Sequence, residues 1–168
     1  MGRARRVDLT RYSIEQIQLE VVFMGMNIKL KSKVIGDMTA VYNRFDHNLF
    51  AYLLPPGAKL IEFGGSKKGD IVHLKLPIAG EWVSDIIDDG ISEYSCYFID
   101  EGRKLPFPLK KWKHKHILYH AGKSTIIEDN MTYSTGYVIT DILLYPVLLL
   151  SFLPRVWQYK SYFKALID

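Results

Sequence analysis

The residues best equipped for chemistry lie close together in the last third of the chain. Trp112-Lys113-His114-Lys115-His116 sets two imidazoles two positions apart, and Thr125-Ile126-Ile127-Glu128-Asp129 adds a carboxylate. On a β-strand, residues two apart share a face. A hairpin turning at Ala121-Gly122 puts His114 opposite Asp129, His116 opposite Ile127 and Trp112 opposite Met131. A shift of two residues puts His116 beside Asp129 instead. Lys113, Lys115, Glu128 and Asn130 then make a solvated face. Trp112, His114, His116, Leu118, Ile127, Asp129 and Met131 point inward. Inward imidazoles and a carboxylate are costly unless they partner each other. Three chemistries fit. A buried His–Asp hydrogen bond would fix a wall of the core. An acid–base or ligand-anchoring pair would turn one ring nitrogen towards a pocket. His-x-His beside a carboxylate also suits zinc or iron, but no further ligand pair is visible, so no metal or cofactor is expected.

Arg155 is the other notable side chain. It comes after Pro154 in a segment otherwise built from Phe152, Trp157 and Tyr159. A guanidinium there either snorkels to an ion pair at a sheet end or holds a ligand's carboxylate or ketone. With Phe152 and Tyr159 it completes the candidate ligand-binding set, facing Trp112, Leu118, Ile127 and Met131. Other motifs carry less. Gly64-Gly65-Ser66-Lys67-Lys68-Gly69-Asp70 lacks phosphate-loop spacing and precedes a strand, so it reads as a turn. No Gly-x-Ser-x-Gly elbow occurs. Asp100 and Glu101 read as loop. Cys96 is the only cysteine. It excludes an intramolecular disulfide, suits a cytoplasmic location, and reads as a buried inert thiol.

These side chains need a scaffold, and the alternation of the chain supplies one. Asn27 to Ile35 sets Ile28, Leu30, Ser32 and Val34 against Lys29, Lys31 and Lys33, a strand with one wet face. Asp37 can cap a helix that starts just after it. Val41, Phe45, Leu49 and Leu53 recur at helical spacing over 38–54, with a break near Asp46 to Asn48, and Pro55-Pro56-Gly57 stops the run. Strands come next at Lys59 to Phe63, Ile71 to Leu76, Glu81 to Ile87 and Ser92 to Ile99, with a turn at Asp88-Asp89-Gly90. Residues 100–109 read as a loop, and beyond them lies the Trp112–Tyr133 hairpin. Residues 140–167 read as a long helix interrupted near Pro146 and Pro154. The sum is α+β: a seven-stranded curved antiparallel sheet, two short helices and a long C-terminal helix over an internal cavity. Val34, Phe45, Leu74, Trp82, Phe98, Leu118 and Ile127 are the expected core.

Composition sets outer limits. The chain has 168 residues, 48% of them hydrophobic, enough for one domain with its own core. The net charge of +4 comes from scattered Lys and Arg, so no nucleic-acid partner is expected. Arg3, Arg5 and Arg6 precede no apolar run, so residues 1–25 read as an N-terminal extension, a short amphipathic helix or a leader, and not a signal peptide. Ile142 to Leu153 is too short to span a bilayer, and a core helix is expected there. Oligomeric state is left open.

Several stretches resemble the SRPBCC superfamily, the helix-grip proteins that include the birch-pollen-allergen fold, START lipid-transfer domains and polyketide cyclases. The stretches are Tyr42 to Asp46, Leu54-Pro55-Pro56, Gly64 to Asp70, Phe98 to Gly102, Leu105-Pro106-Phe107, Trp112 to His116, Thr125 to Asp129 and Phe152 to Arg155. They look most like the bacterial ligand-binding SRPBCC branch, and the resemblance covers about residues 26–168. It implies a helix-grip ligand-binding domain over 26–168 whose cavity takes a small apolar molecule, lipid-like or aromatic and polyketide-like. Such a domain acts as a carrier or sensor. The alternatives are a cyclase or dehydratase using His114, His116 and Asp129, or a protein-interaction module.

Overall fold

The computed structural model describes residues 25–165. The expectation for the N-terminal extension, and that for the end of the final helix, lie outside the described residues.

The first described strand is β1 (Met26–Ile35), where Ile28, Ser32 and Val34 are buried and the three lysines are exposed. Two short helices come next, α1 (Met38–Tyr42) and α2 (His47–Leu53). Each begins where an aspartate binds the free N–H groups of the first turn. Asp37 accepts from Thr39 N and Ala40 N at 2.9 and 3.1 Å, and Asp46 accepts from Asn48 N and Leu49 N at 2.9 and 3.0 Å. The meander then runs β2 (Lys59–Phe63), β3 (Ile71–Leu76), β4 (Gly80–Ile91), β5 (Ser95–Lys104), β6 (Lys111–Ala121) and β7 (Ser124–Ser134). Two helices come last among the described residues, α3 (Val138–Phe152) and α4 (Arg155–Lys164), parted at Leu153-Pro154. Pro146 sits inside α3.

All seven strands form one antiparallel sheet in the order β1-β7-β6-β5-β4-β3-β2, so β1 is an edge strand. The α1–α2 segment carries the chain from that edge to the opposite one. Register breaks near Val83 and Ile87 bulge β4, which bends a strand and raises its twist. The sheet therefore curls round the helices.

Three local expectations are corrected. Asp88-Asp89-Gly90 is not a turn. It lies within β4, and the chain reverses at Ser92–Ser95. The aspartates have partners there: Tyr97 OH donates to Asp88 and Lys68 N to Asp89, while the Tyr97 ring lies over Gly90 where a Cβ would stand. Of the loop expected over 100–109, the first half is the end of β5, which runs to Lys104, and the rest is the loop into β6. Glu128 is on the outer sheet face as expected, yet it is buried, because Lys29 and Lys31 of β1 close over it at 3.4 and 3.0 Å.

The helices do not cover the concave face evenly. α4 packs against β1, and α3 against β1 and β7. Tyr159 and Phe163 of α4 join Phe98, Leu118 and Ile127 in one core, while Leu148 of α3 joins Ile28, Trp112 and Met131 in another. Each buried side chain of this size contributes about 1.5–3 kcal/mol. Val34, Phe45, Phe98, Leu118 and Ile127 are buried as expected. Leu74 and Trp82 are only half-buried, because they border an open cavity. One face of α3 turns inward through Leu148 and Phe152, while Ile142, Leu143, Val147 and Leu150 are exposed. By length and composition the α3–α4 run could cross a bilayer. Here it breaks at Pro154 and closes the sheet.

Candidate functional site

The uncovered half of the concave face becomes a cavity of about 320 Å³. Its floor is the inner face of β3 to β6: Val72, Leu74, Trp82, Ser84, Ile86, Phe98 and Trp112. α2 supplies Phe50 and Leu53, the β5–β6 loop Pro106 to Leu109, and α3 Leu144, Val147, Leu148, Ser151 and Phe152. The lining is predominantly apolar. Its polar end is formed by Asp100, His114 and Arg155.

That end is built on the β6–β7 hairpin. Its two-residue loop is Gly122-Lys123, not Ala121-Gly122, with Gly122 at φ +68°. A positive φ at the first loop position alone fits the type II′ turn that matches strand twist. The register consequently moves by two: His116 pairs with Asp129, His114 with Met131 and Trp112 with Tyr133. On the outer face Lys115 pairs with Asn130 and Lys113 with Thr132. A shift of two preserves which side chains point inward. On the neighbouring strand, Asp100 stands beside His114 and Phe98 beside His116.

The inward side chains form a closed polar cluster. His114 Nε2 is hydrogen-bonded to Asp129 Oδ1 at 3.0 Å, and Tyr159 OH donates to the same oxygen at 3.4 Å. Trp112 Nε1 donates to Asp100 Oδ1 at 3.1 Å. His116 Nδ1 is 2.9 Å from Asp129 Oδ1, but neither ring nitrogen of His116 completes an aligned hydrogen bond. The two imidazoles lie 3.7 Å apart between centroids, and Phe98 stacks on His116 at 4.3 Å. Arg155 lies over the Phe152 ring at 4.5 Å, and its Nη1 is buried without a partner.

Burial and mutual charge fix the protonation pattern. Burial, helped by the neighbouring His116, pushes His114 down to about 4, so its imidazole is neutral. Burial works on His116 in the same direction, but the carboxylates of Asp100 and Asp129 outweigh it and raise this ring. Burial opposes ionisation of Asp129 and Asp100, yet the two imidazoles hold both carboxyls below the ordinary range. Burial lifts Tyr159 well above the usual phenol value, so it stays a donor. Groups this close titrate as a coupled set and not one by one.

Of the ten side chains named from sequence, Trp112, His114, Phe152 and Arg155 line the cavity. His116, Leu118, Ile127, Asp129, Met131 and Tyr159 are fully buried and do not line it. Phe98 is the partition: it borders the cavity on one side and covers His116 on the other. Asp100 escaped the sequence reading. The signal was present, because Cys96, Phe98 and Asp100 continue one period-2 face once β5 is extended.

A curved seven-stranded antiparallel sheet gripping a C-terminal helix pair, with a cavity between, is a helix-grip fold. Three solved structures share it. XoxI from Bacillus cereus superposes with a TM-score of 0.63 at 15% identity, over 84% of this chain and 98% of that one. Norcoclaurine synthase from Thalictrum flavum, a point mutant in complex with a transition-state analogue, gives 0.63 at 11% identity, over 86% and 98%. The ZhuI aromatase/cyclase from a Streptomyces species gives 0.62 at 12% identity, over 85% and 96%. No family model and no curated protein matches the chain.

Proposed function

We propose that this protein binds a small, mainly apolar molecule with one acidic or carbonyl group, and serves as its carrier or sensor. The observation that carries this reading is the unpartnered, buried Nη1 of Arg155 at the polar end of an otherwise apolar cavity. A buried guanidinium donor costs free energy until an acceptor reaches it, and a ligand carboxylate or ketone is the acceptor that fits beside apolar walls. The cavity volume lies at the lower end of the range for small-molecule sites. The test is calorimetric titration with a medium-chain fatty acid, its methyl ester and the corresponding hydrocarbon. The acid binds most tightly, and Arg155→Met removes its advantage of about tenfold or more while leaving the hydrocarbon unchanged. Equal affinity for all three in the native protein would refute the anchor.

A second reading, acid–base catalysis of a cyclase or dehydratase type, has one observation in its favour: the neutral His114 and the ionised Asp100 both border the cavity. His116 and Asp129 would act on substrate only through them. Two of the structural neighbours are enzymes by name, norcoclaurine synthase and an aromatase/cyclase. Turnover of a polyketone substrate that is lost in His114→Gln with binding retained would decide for this reading.

A further inference from the structure

Asp100, His114 and His116 come from two neighbouring strands, and one potential ligand atom from each lies within 4.8 Å of the others. We propose that these three side chains bind a divalent transition-metal ion whose open coordination position faces the cavity. The site stands whether or not the cavity takes an apolar ligand.

Four observations support it. Asp100 Oδ2 lies 3.5 Å from His114 Nδ1 and 3.7 Å from His116 Nε2. Those separations are too long for hydrogen bonds. They are close to the edge of a tetrahedron around zinc, about 3.3 Å for bonds of about 2.0–2.1 Å. The opposite nitrogen of each ring, His114 Nε2 and His116 Nδ1, lies 3.0 and 2.9 Å from the single oxygen Asp129 Oδ1. The hydrogen bond from His114 Nε2 to this carboxylate selects the tautomer that turns the Nδ1 lone pair towards Asp100, as outer carboxylates do for metal-bound histidines, and the same oxygen stands behind His116. Trp112 Nε1 holds the other oxygen of Asp100, which fixes the orientation of that carboxylate too. Lastly, His116 is almost completely enclosed and neither of its ring nitrogens has a hydrogen-bond partner. Polar atoms so deeply buried are nearly always satisfied, and a cation at Nε2 would satisfy this one.

The donor set is two imidazoles and one carboxylate, which suits zinc or ferrous iron and not calcium or magnesium. Two buried carboxylates also give a charge that a divalent cation neutralises. Asp100 and His114 border the cavity whereas His116 does not, so the fourth position opens on the ligand side. Three protein ligands and one open position is the arrangement of reactive zinc sites, not of closed structural ones.

The experiment uses the full chain without a polyhistidine tag, stripped with chelator and returned to zinc or cobalt(II). One equivalent of zinc should bind, and cobalt(II) should give a tetrahedral visible spectrum. Asp100→Asn and His114→Gln should weaken zinc by more than about 100-fold, and Asp129→Asn by about 10–100-fold. The exposed His120→Gln should change nothing. Failure to bind zinc at micromolar concentration overturns the proposal, as does undiminished binding in folded Asp100→Asn and His114→Gln. Should those variants fail to fold, X-ray absorption on the zinc-loaded native protein decides: two imidazoles in the first shell are expected, and a shell without imidazole overturns the site.

Discussion

Asp129 Oδ1 receives His114 Nε2 and Tyr159 OH and also faces His116 Nδ1. One oxygen thus joins β6, β7 and α4 behind the cavity wall. Removing its charge leaves two buried imidazoles beside an amide that supplies a weaker acceptor. Asp129→Asn should therefore lower unfolding free energy by on the order of 3 kcal/mol, the cost of breaking a buried charged pair. Urea melts in the presence of chelator would measure this, with any metal contribution removed. A loss under about 0.5 kcal/mol would mean that the cluster contributes no stability. Much of this site could be read in the residues. Period-2 alternation assigns Trp112, His114 and His116 to an inward face, and hairpin pairing adds Asp129. Asp100 escaped, because Gly102, Pro106 and Pro108 make the stretch from 100 onward look like loop, and ladder pairing carries the strand past that composition.

Turn geometry decides which of the inward residues meet. Ala121-Gly122 and Gly122-Lys123 are both two-residue loops, and the sequence alternation around them is the same for either. The backbone separates them: Gly122 is the residue at positive φ, and it must stand first in the loop. That one step moves His116, not His114, opposite Asp129. Gly122→Ala tests the assignment. No heavy atom lies within 4 Å of the Cβ that alanine would add, so the entire cost is conformational. It should be about 1–2 kcal/mol in thermal or chemical unfolding, with zinc and ligand binding unaltered. A neutral or stabilising substitution would place the positive φ elsewhere and return the hairpin to the other register. A similar competition between local and distant signals explains the mistaken Asp-Gly turn in β4. A local signal for reversal lost to the longer-range contacts of Tyr97 with Asp88 and Gly90.

The whole molecule is shaped by an imbalance between a seven-stranded sheet and helices that cover only part of it. α3 and α4 lie along the β1 and β7 side, and part of the inner face of β3 to β5 borders the cavity instead. Leu74 and Trp82, expected in the core, are half-exposed for this reason. Sequence periodicity reports which face is apolar; it does not report whether protein or ligand covers it. Ser151 gives direct access to that question. It is exposed on the last turn of α3, borders the cavity, and its hydroxyl bonds back to Val147 O at 2.7 Å. Ser151→Trp should lay an indole across the opening with little loss of stability, within about 0.5 kcal/mol, because the position is solvated. In the native protein a ligand at 100 times its Kd should stabilise the fold by about 2.7 kcal/mol, visible as a rise in Tm. In Ser151→Trp that rise should vanish while the Tm without ligand stays where it was. A plugged protein that still shows the full ligand-induced rise would locate binding outside the cavity, on the exposed apolar face of α3.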